Sequence, residues 1–282
     1  MMNSMMLRTK IRKTIQYTVL VLLSVYFLFP LYFVLSRSLM HITEINSASL
    51  VWFPKKLMFE NYAVVGRYWD AFWNTIVVIA INAVFVPLTG AMIAFPFARY
   101  RFSGKKIMFM LLMSTSMLPW VITSIPTYIL YAKLNLINKL ESQWVGAFFG
   151  GPAMQIFLII QFMRGIPKAI DEAAYIDGAN KWTIFTKLIM PQCKNIIIYL
   201  AITTIIGKWN DYMGPLIYIW DESQFTMAVA FYYEYSTSGN GSIFVNEKMA
   251  MAVFMTIPSA LMFAFFQNTM IEGVKIGGGL KG

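Results

Sequence analysis

Residues 172–191 read EAAYIDGANKWTIFTKLIMP, a polar, helix-prone island between apolar runs of bilayer length. A polar insert between membrane spans is expected to serve as a docking surface. Pro167 suits a helix start, and Asp171 and Glu172 place carboxylates in the first turns, where the helix dipole favours them. Ala173 and Ala174 remove side-chain bulk so that another surface can approach the backbone. Asp177 and Gly178 signal a turn before a second helical stretch that ends at Met190, with Pro191 as its stop. The expected result is two short helices with a small-residue face and an acidic handle for a basic partner. The plainer alternative is an ordinary interfacial loop.

Outward from this island the chain is apolar. Hydrophobic residues make up 58% and charged residues only 13%, against about 25% charged in an average soluble domain, and this places the chain in a membrane. Charge-free apolar runs long enough to cross a hydrocarbon core occur at Ile15–Leu35, Ala71–Ala98, Ile107–Tyr131, Gln143–Met163 and Met249–Ile271. A sixth, Asn195–Trp220, is interrupted near its middle by Lys208 and Asp211 but has apolar flanks. The expectation is an all-α integral membrane protein of six transmembrane helices. It divides into an N-terminal segment 1–14, a membrane domain 15–271 that includes the docking loop 165–194, and a tail 272–282.

Six spans put both termini on one side, and the basic residues select that side. Arg8, Lys10, Arg12, Lys13, Arg99, Arg101, Lys105, Lys106, Arg164, Lys168, Lys181, Lys187, Lys194, Lys275 and Lys281 share one face. The positive-inside rule makes that face cytoplasmic, with both termini and residues 165–194 on it. The net charge of +10 is thereby explained without nucleic acid. The first span exceeds a signal-peptide core and no small-x-small cleavage site follows, so it is expected to stay as an anchor. Prolines at 30, 87, 96, 119, 126, 152 and 258 suit kinked spans in a bundle. The single cysteine, Cys193, excludes an intrachain disulfide, and the lone His41 leaves no metal site of usual spacing. Cys193 reads as a small packing residue and His41 as an ordinary surface residue.

The island resembles the E-A-A-x3-G-x9-I-x-L-P loop of permease subunits in ATP-binding cassette (ABC) importers. Glu172, Ala173, Ala174, Gly178 and Pro191 fit in register, whereas Leu188 stands for Ile and Met190 for Leu. Further stretches are similar to the second permease subunit of maltose-type importers. Trp52–Tyr62 (WFPKKLMFENY) resembles F-P-x-x-x-T-x-x-N-Y, with Met58 in place of Thr. Phe97–Gly104 (FARYRFSG) follows the second span, and Trp209, Asn210, Asp211 and Pro215 resemble W-N-D-F-x-x-P-L. The carboxyl end from Phe265 resembles the tail of the same subunit type.

This resemblance implies the type I ABC importer permease fold in the bacterial cytoplasmic membrane, carrying a sugar or oligosaccharide. Its implied partners are a second permease subunit, two ATPase subunits under the membrane, an extracytoplasmic sugar-binding protein and membrane lipid. The Glu172–Pro191 helices would be the coupling element seated on one ATPase. The chain has no G-x-x-x-x-G-K-[ST] loop, since Gly277, Gly278 and Gly279 precede Lys281 in the wrong spacing. ATP and magnesium are therefore expected on the partner, and this chain is expected to bind no cofactor and to be no enzyme.

Two further groups stand out. Lys208 and Asp211, one turn apart in an apolar span, either satisfy each other or line a sugar path with Trp209 and Asn210. The outer stretch Tyr232–Ser242, with Tyr233, Gly239, Asn240 and Gly241, is either a tip whose glycines let it bend into a binding protein's cleft or a plain exposed loop. Alternatives are an ABC permease for a non-sugar solute, such as peptides or amino acids, or a secondary transporter. No repeated halves support the latter. A membrane enzyme would need a cluster of acids, histidines or a nucleophile, which the sequence lacks.

Overall fold

The computed structural model describes residues 2–237 and 239–277, and every element among them is helical. The helices group into two compact units, one from Met1–Arg67 and Glu234–Ile257, the other from Tyr68–Tyr233 and Pro258–Gly282.

In the first unit α1 (Met2–Ser38) is one unbroken helix, so the expected N-terminal segment 1–14 is its leading part. From Lys10 to Ser38 it is long and apolar enough to cross a bilayer, and it is exposed as far as Leu31. Trp52–Tyr62 is tied back to it. The Tyr32 hydroxyl and the Ser36 hydroxyl both donate to the Trp52 carbonyl, at 2.6 and 2.8 Å. Asn61 Nδ2 donates to the carbonyls of Ser38 and Met40, each at 2.9 Å. His41 caps a helical turn over Ile42–Ile45, its Nδ1 accepting from the Thr43 amide at 3.3 Å.

The second unit is built on α2 (Trp69–Arg99). It continues through α3 (Lys105–Thr115), α4 (Trp120–Lys133) and α5 (Ala153–Gly165). Next come α6 (Ala169–Ile176), α7 (Lys181–Gln192) and α8 (Lys194–Trp209). The short helices α9 (Met213–Tyr218) and α10 (Met227–Tyr232) follow. The last helix, α11 (Val245–Gly277), belongs to the first unit up to Ile257 and to the second from Pro258. Residues 278–282 of the expected tail lie outside the described residues.

Four helices are long and apolar enough to cross a bilayer alone, and the number reaches six if each of two bent pairs forms one span. The expected span Ile107–Tyr131 is α3 and α4 meeting at 101°, broken at Ser116–Pro119, where the proline lacks the amide that a continuous helix needs. The expected span Asn195–Trp220 is also different, because α8 stops at Trp209. Polar side chains take over the backbone there. Asn210 Nδ2 donates to the Ile206 carbonyl at 2.8 Å, and Asp211 Oδ1 accepts from the Gly214 amide at 3.0 Å, competing with helical hydrogen bonds. Lys208 and Asp211 therefore mark the end of a helix and not its middle.

A buried core joins α2, α5, α6, α7 and α8. Ala91, Ala94 and Phe95 pack with Ile156, Ile159, Ile160 and Met163, then with Ala174, Ile184, Ile189, Ile196 and Leu200. Cys193 is fully buried in this cluster, as its packing role requires. The approach of α5 to α2 depends on Gly150 and Gly151. Both have positive φ, at 102° and 68°, and a Cβ on either would run into Ile93 or Val86.

Candidate functional site: the Glu172–Pro191 loop and a polar cavity

The Glu172–Pro191 loop is attached by one face and open on the other. Ala174 is buried in the core, while Glu172, Ala173 and Ile176 are exposed, Ile176 by 86%. The two alanines thus face opposite ways, and only Ala173 belongs to the small outward face expected of both. Helix periodicity causes the split, since adjacent residues lie about 100° apart. The Glu172 carboxylate makes no ion pair among the described residues.

The turn after α6 closes with two backbone bonds. The Ala179 amide donates to the Ala174 carbonyl at 2.9 Å and the Gly178 amide to the Tyr175 carbonyl at 3.1 Å, the pattern of a glycine-terminated helix. Gly178 has φ +81° with open space where a Cβ would stand, so its requirement is conformational and not steric. Asn180 Oδ1 then caps α7, accepting from the Thr183 amide at 2.8 Å.

Pro191 does not stop α7, contrary to its expected role. A π-helical stretch, Ile184–Ile189, precedes it and the helix runs on to Gln192. The wider register accommodates a residue that has no amide to donate.

Asp171 has a function the sequence reading missed. Its Oδ2 lies 3.2 Å from Arg99 Nε, with side-chain exposures of 14% and 2%, and Arg99 Nη1 donates to the Ile166 carbonyl at 2.8 Å. Burial raises the pKa of the Asp171 carboxyl, while Arg99 pulls it down. The pair fastens α6 to the end of α2. The sequence signal was an arginine closing an apolar span and an acid opening the docking helix, 72 residues apart, with nothing in the spacing to connect them.

Between α2, α4, α8 and the turns before α5 lies a cavity of about 520 Å³, within the range of small-ligand sites. Amides and hydroxyls line it, including Asn82, Thr123, Thr127, Gln143, Gln155 and Thr204, together with Trp120, Tyr131 and Tyr218. Gln155 Nε2 reaches Thr204 Oγ1 at 3.4 Å, and its Oε1 is buried without a protein partner. Such a lining donates and accepts many neutral hydrogen bonds beside flat rings, the chemistry that a polyhydroxylated solute needs. These residues escaped the sequence reading, although Thr123, Thr127 and Tyr131 repeat every four residues along one helix face.

Lys208 and Asp211 both line this cavity and pair with each other at 3.4 Å. Trp209 and Asn210 do not line it. Trp209 is buried and faces an apolar cavity with Phe72, Ile206 and Pro258, and Asn210 Nδ2 meets Ser259 Oγ at 3.3 Å. In the stretch expected to meet a binding protein, Tyr233 stacks on Phe225 at 4.9 Å between ring centroids. Gly239 has φ +75°, and Asn240 and Gly241 open a helical turn, Asn240–Ile243. Tyr233–Thr237 and Asn240–Ile243 are helical turns, and residue 238 between them lies outside the described residues.

Similarity to known proteins defines the class to which the chain belongs. The family model described as "Binding-protein-dependent transport system inner membrane component" matches residues 86–275, and the chain belongs to that family. Among similar proteins, the arabinooligosaccharides transport system permease protein AraQ of Halalkalibacterium halodurans is 28% identical over 89% of this chain and 90% of its own length. The melibiose/raffinose/stachyose import permease protein MelC of Bacillus subtilis is 27% identical over 96% and 97%. In fold, the chain is similar to one in the crystal structure of a bacterial ABC transporter involved in the import of the acidic polysaccharide alginate. The TM-score there is 0.78 at 19% identity, covering 92% of this chain and 96% of that one.

Proposed function

We propose that this chain is one of two permease subunits of an ABC importer that moves a sugar or oligosaccharide across the cytoplasmic membrane, with hydrolysis of ATP carried out by separate subunits. The observation that carries this reading is the two-faced docking helix α6. Its inner face is held by Ala174 and the Arg99–Asp171 pair, while Glu172, Ala173 and Ile176 stand open beside it. A rigidly attached lever with an exposed contact face is what coupling requires, because a partner can shift a two-state protein only through contacts that differ between its states.

In this reading α6 and α7 sit in a cleft of one ATPase subunit, with Glu172 opposite a basic residue, Gly178 holding the turn and Pro191 lying within the last turn of α7. The bent pair α3–α4 counts as one span and α8 as another beside α1, α2, α5 and α11, which makes six and puts both termini in the cytoplasm. The solute passes the cavity lined by Gln155, Thr204, Lys208 and Asp211. Trp209 and Asn210 act behind that wall by fixing the end of α8. Tyr233 and the turn at Gly239, Asn240 and Gly241 face an extracytoplasmic binding protein. The sugar assignment rests on the similarity to sugar permeases and on the amide-rich, hydroxyl-rich and aromatic lining.

The test is ATPase activity in nanodiscs after this chain is co-purified with its partner permease and ATPase, with and without sugar-loaded binding protein. Stimulated hydrolysis that Glu172→Lys abolishes supports the reading. Absence of any ATPase association favours a secondary transporter.

A further inference from the structure

A groove of about 710 Å³ lies where α2, α3 and α5 reach the same end of the unit, lined by Arg101, Phe102, Lys105, Lys106, Phe109 and Arg164 among others. No acid lines it, and none of its four cations forms an ion pair among the described residues. Arg101, Arg164 and Lys168 all press positive charge on Lys105. Two of the cations are held in place. Lys105 Nζ donates to the Tyr100 carbonyl at 2.8 Å, and the Arg164 guanidinium lies 5.9 Å from the centroid of the Phe109 ring.

We propose that this groove binds the phosphate headgroup of an anionic phospholipid. Four unneutralised cations around one concavity call for an anion, and charge-assisted bonds from arginine favour phosphate oxygens. The neighbouring surface identifies the source of that phosphate. Ile107, which lines the groove, continues into Met110 and Leu111 at helical spacing along α3. The three are exposed by 60%, 62% and 59%, an apolar stripe along which acyl chains can lie. A soluble phosphate would use the cations and leave the stripe bare. The groove stands at the end of three apolar helices, the depth at which headgroups lie. The inference needs only that these helices sit in a bilayer, and it does not depend on the solute or on the ATPase partner.

The test is native mass spectrometry of the full-length chain released from detergent with equal amounts of phosphatidylglycerol and phosphatidylcholine of matched acyl chains. The wild type is expected to retain phosphatidylglycerol preferentially. Arg101→Gln, Lys105→Gln and Arg164→Gln should each lower that preference about fivefold, the effect of one basic residue at an anionic surface, and the triple variant should show none. Arg164→Lys, which keeps the charge, should keep the preference. A control with Lys10, Arg12 and Lys13 changed to Gln removes as much charge elsewhere and should also keep it. The proposal is overturned if the groove triple variant still prefers phosphatidylglycerol, or if the control loses as much. Displacement of the lipid by an equal amount of inorganic phosphate would overturn it too, by indicating a site for a soluble anion.

Discussion

Arg99 and Asp171 meet at 3.2 Å in a nearly dry site, one at the last residue of α2 and the other in the first turn of α6. Removing two charges from water costs several kcal/mol per ion, and their attraction seldom exceeds that by much. The pair is thus better understood as a device that sets the angle of α6 than as a source of stability.

The two partners should respond unequally to removal. Asp171→Leu leaves a buried guanidinium that cannot deprotonate and should destabilise the protein by about 3 kcal/mol. Arg99→Leu leaves a carboxyl that can take up a proton, and it should cost clearly less. Thermal unfolding in detergent of both single variants and the double variant gives the cycle. Equal losses from the two single changes, with a double variant no better, would contradict this account.

The same pair predicts a pH dependence. Burial sets the folded pKa of Asp171 above its ordinary value of 3.8, so the folded state binds the proton more tightly than the unfolded state does. The stability linked to it is complete below the unfolded pKa and is lost as pH rises through the folded one. Arg99→Leu removes the charge that holds this pKa down, and its loss of stability should extend further toward neutral pH than the wild type's. Melting temperatures across that window, compared with Arg99→Leu/Asp171→Leu, would show it.

Gly178 should tolerate change according to backbone preference alone. Open space surrounds its Cβ position, so Gly178→Asn, which accepts positive φ, should retain most of the capture of the ATPase subunit. Gly178→Val should lose about 1–2 kcal/mol from local strain and weaken that capture about tenfold. If the two variants behave alike, the turn does not depend on left-handed geometry.

In the cavity, Gln155→Leu removes a buried acceptor without a protein partner and should reduce solute uptake at least tenfold, while basal hydrolysis in the assembled transporter stays near that of the wild type. Wild-type uptake by this variant would exclude Gln155 from the path.

Much of this protein was legible before it was folded. Apolar run length marks membrane spans because a hydrocarbon core demands about 20 apolar residues, and the one-dimensional spacing of Glu172, Ala173, Ala174, Gly178 and Pro191 carried the resemblance to the permease family to which the chain belongs. A local turn such as Asp177–Gly178 is decided by neighbouring residues alone. What a residue touches across the fold is not. Ala174 turned inward beside an outward Ala173, Trp209 turned away from the cavity that Lys208 and Asp211 enter, and Arg99 met an aspartate 72 positions away. Those outcomes depend on helix rotation and on which helices pack together, which the close-packed core settles only when α2, α5, α6, α7 and α8 are assembled.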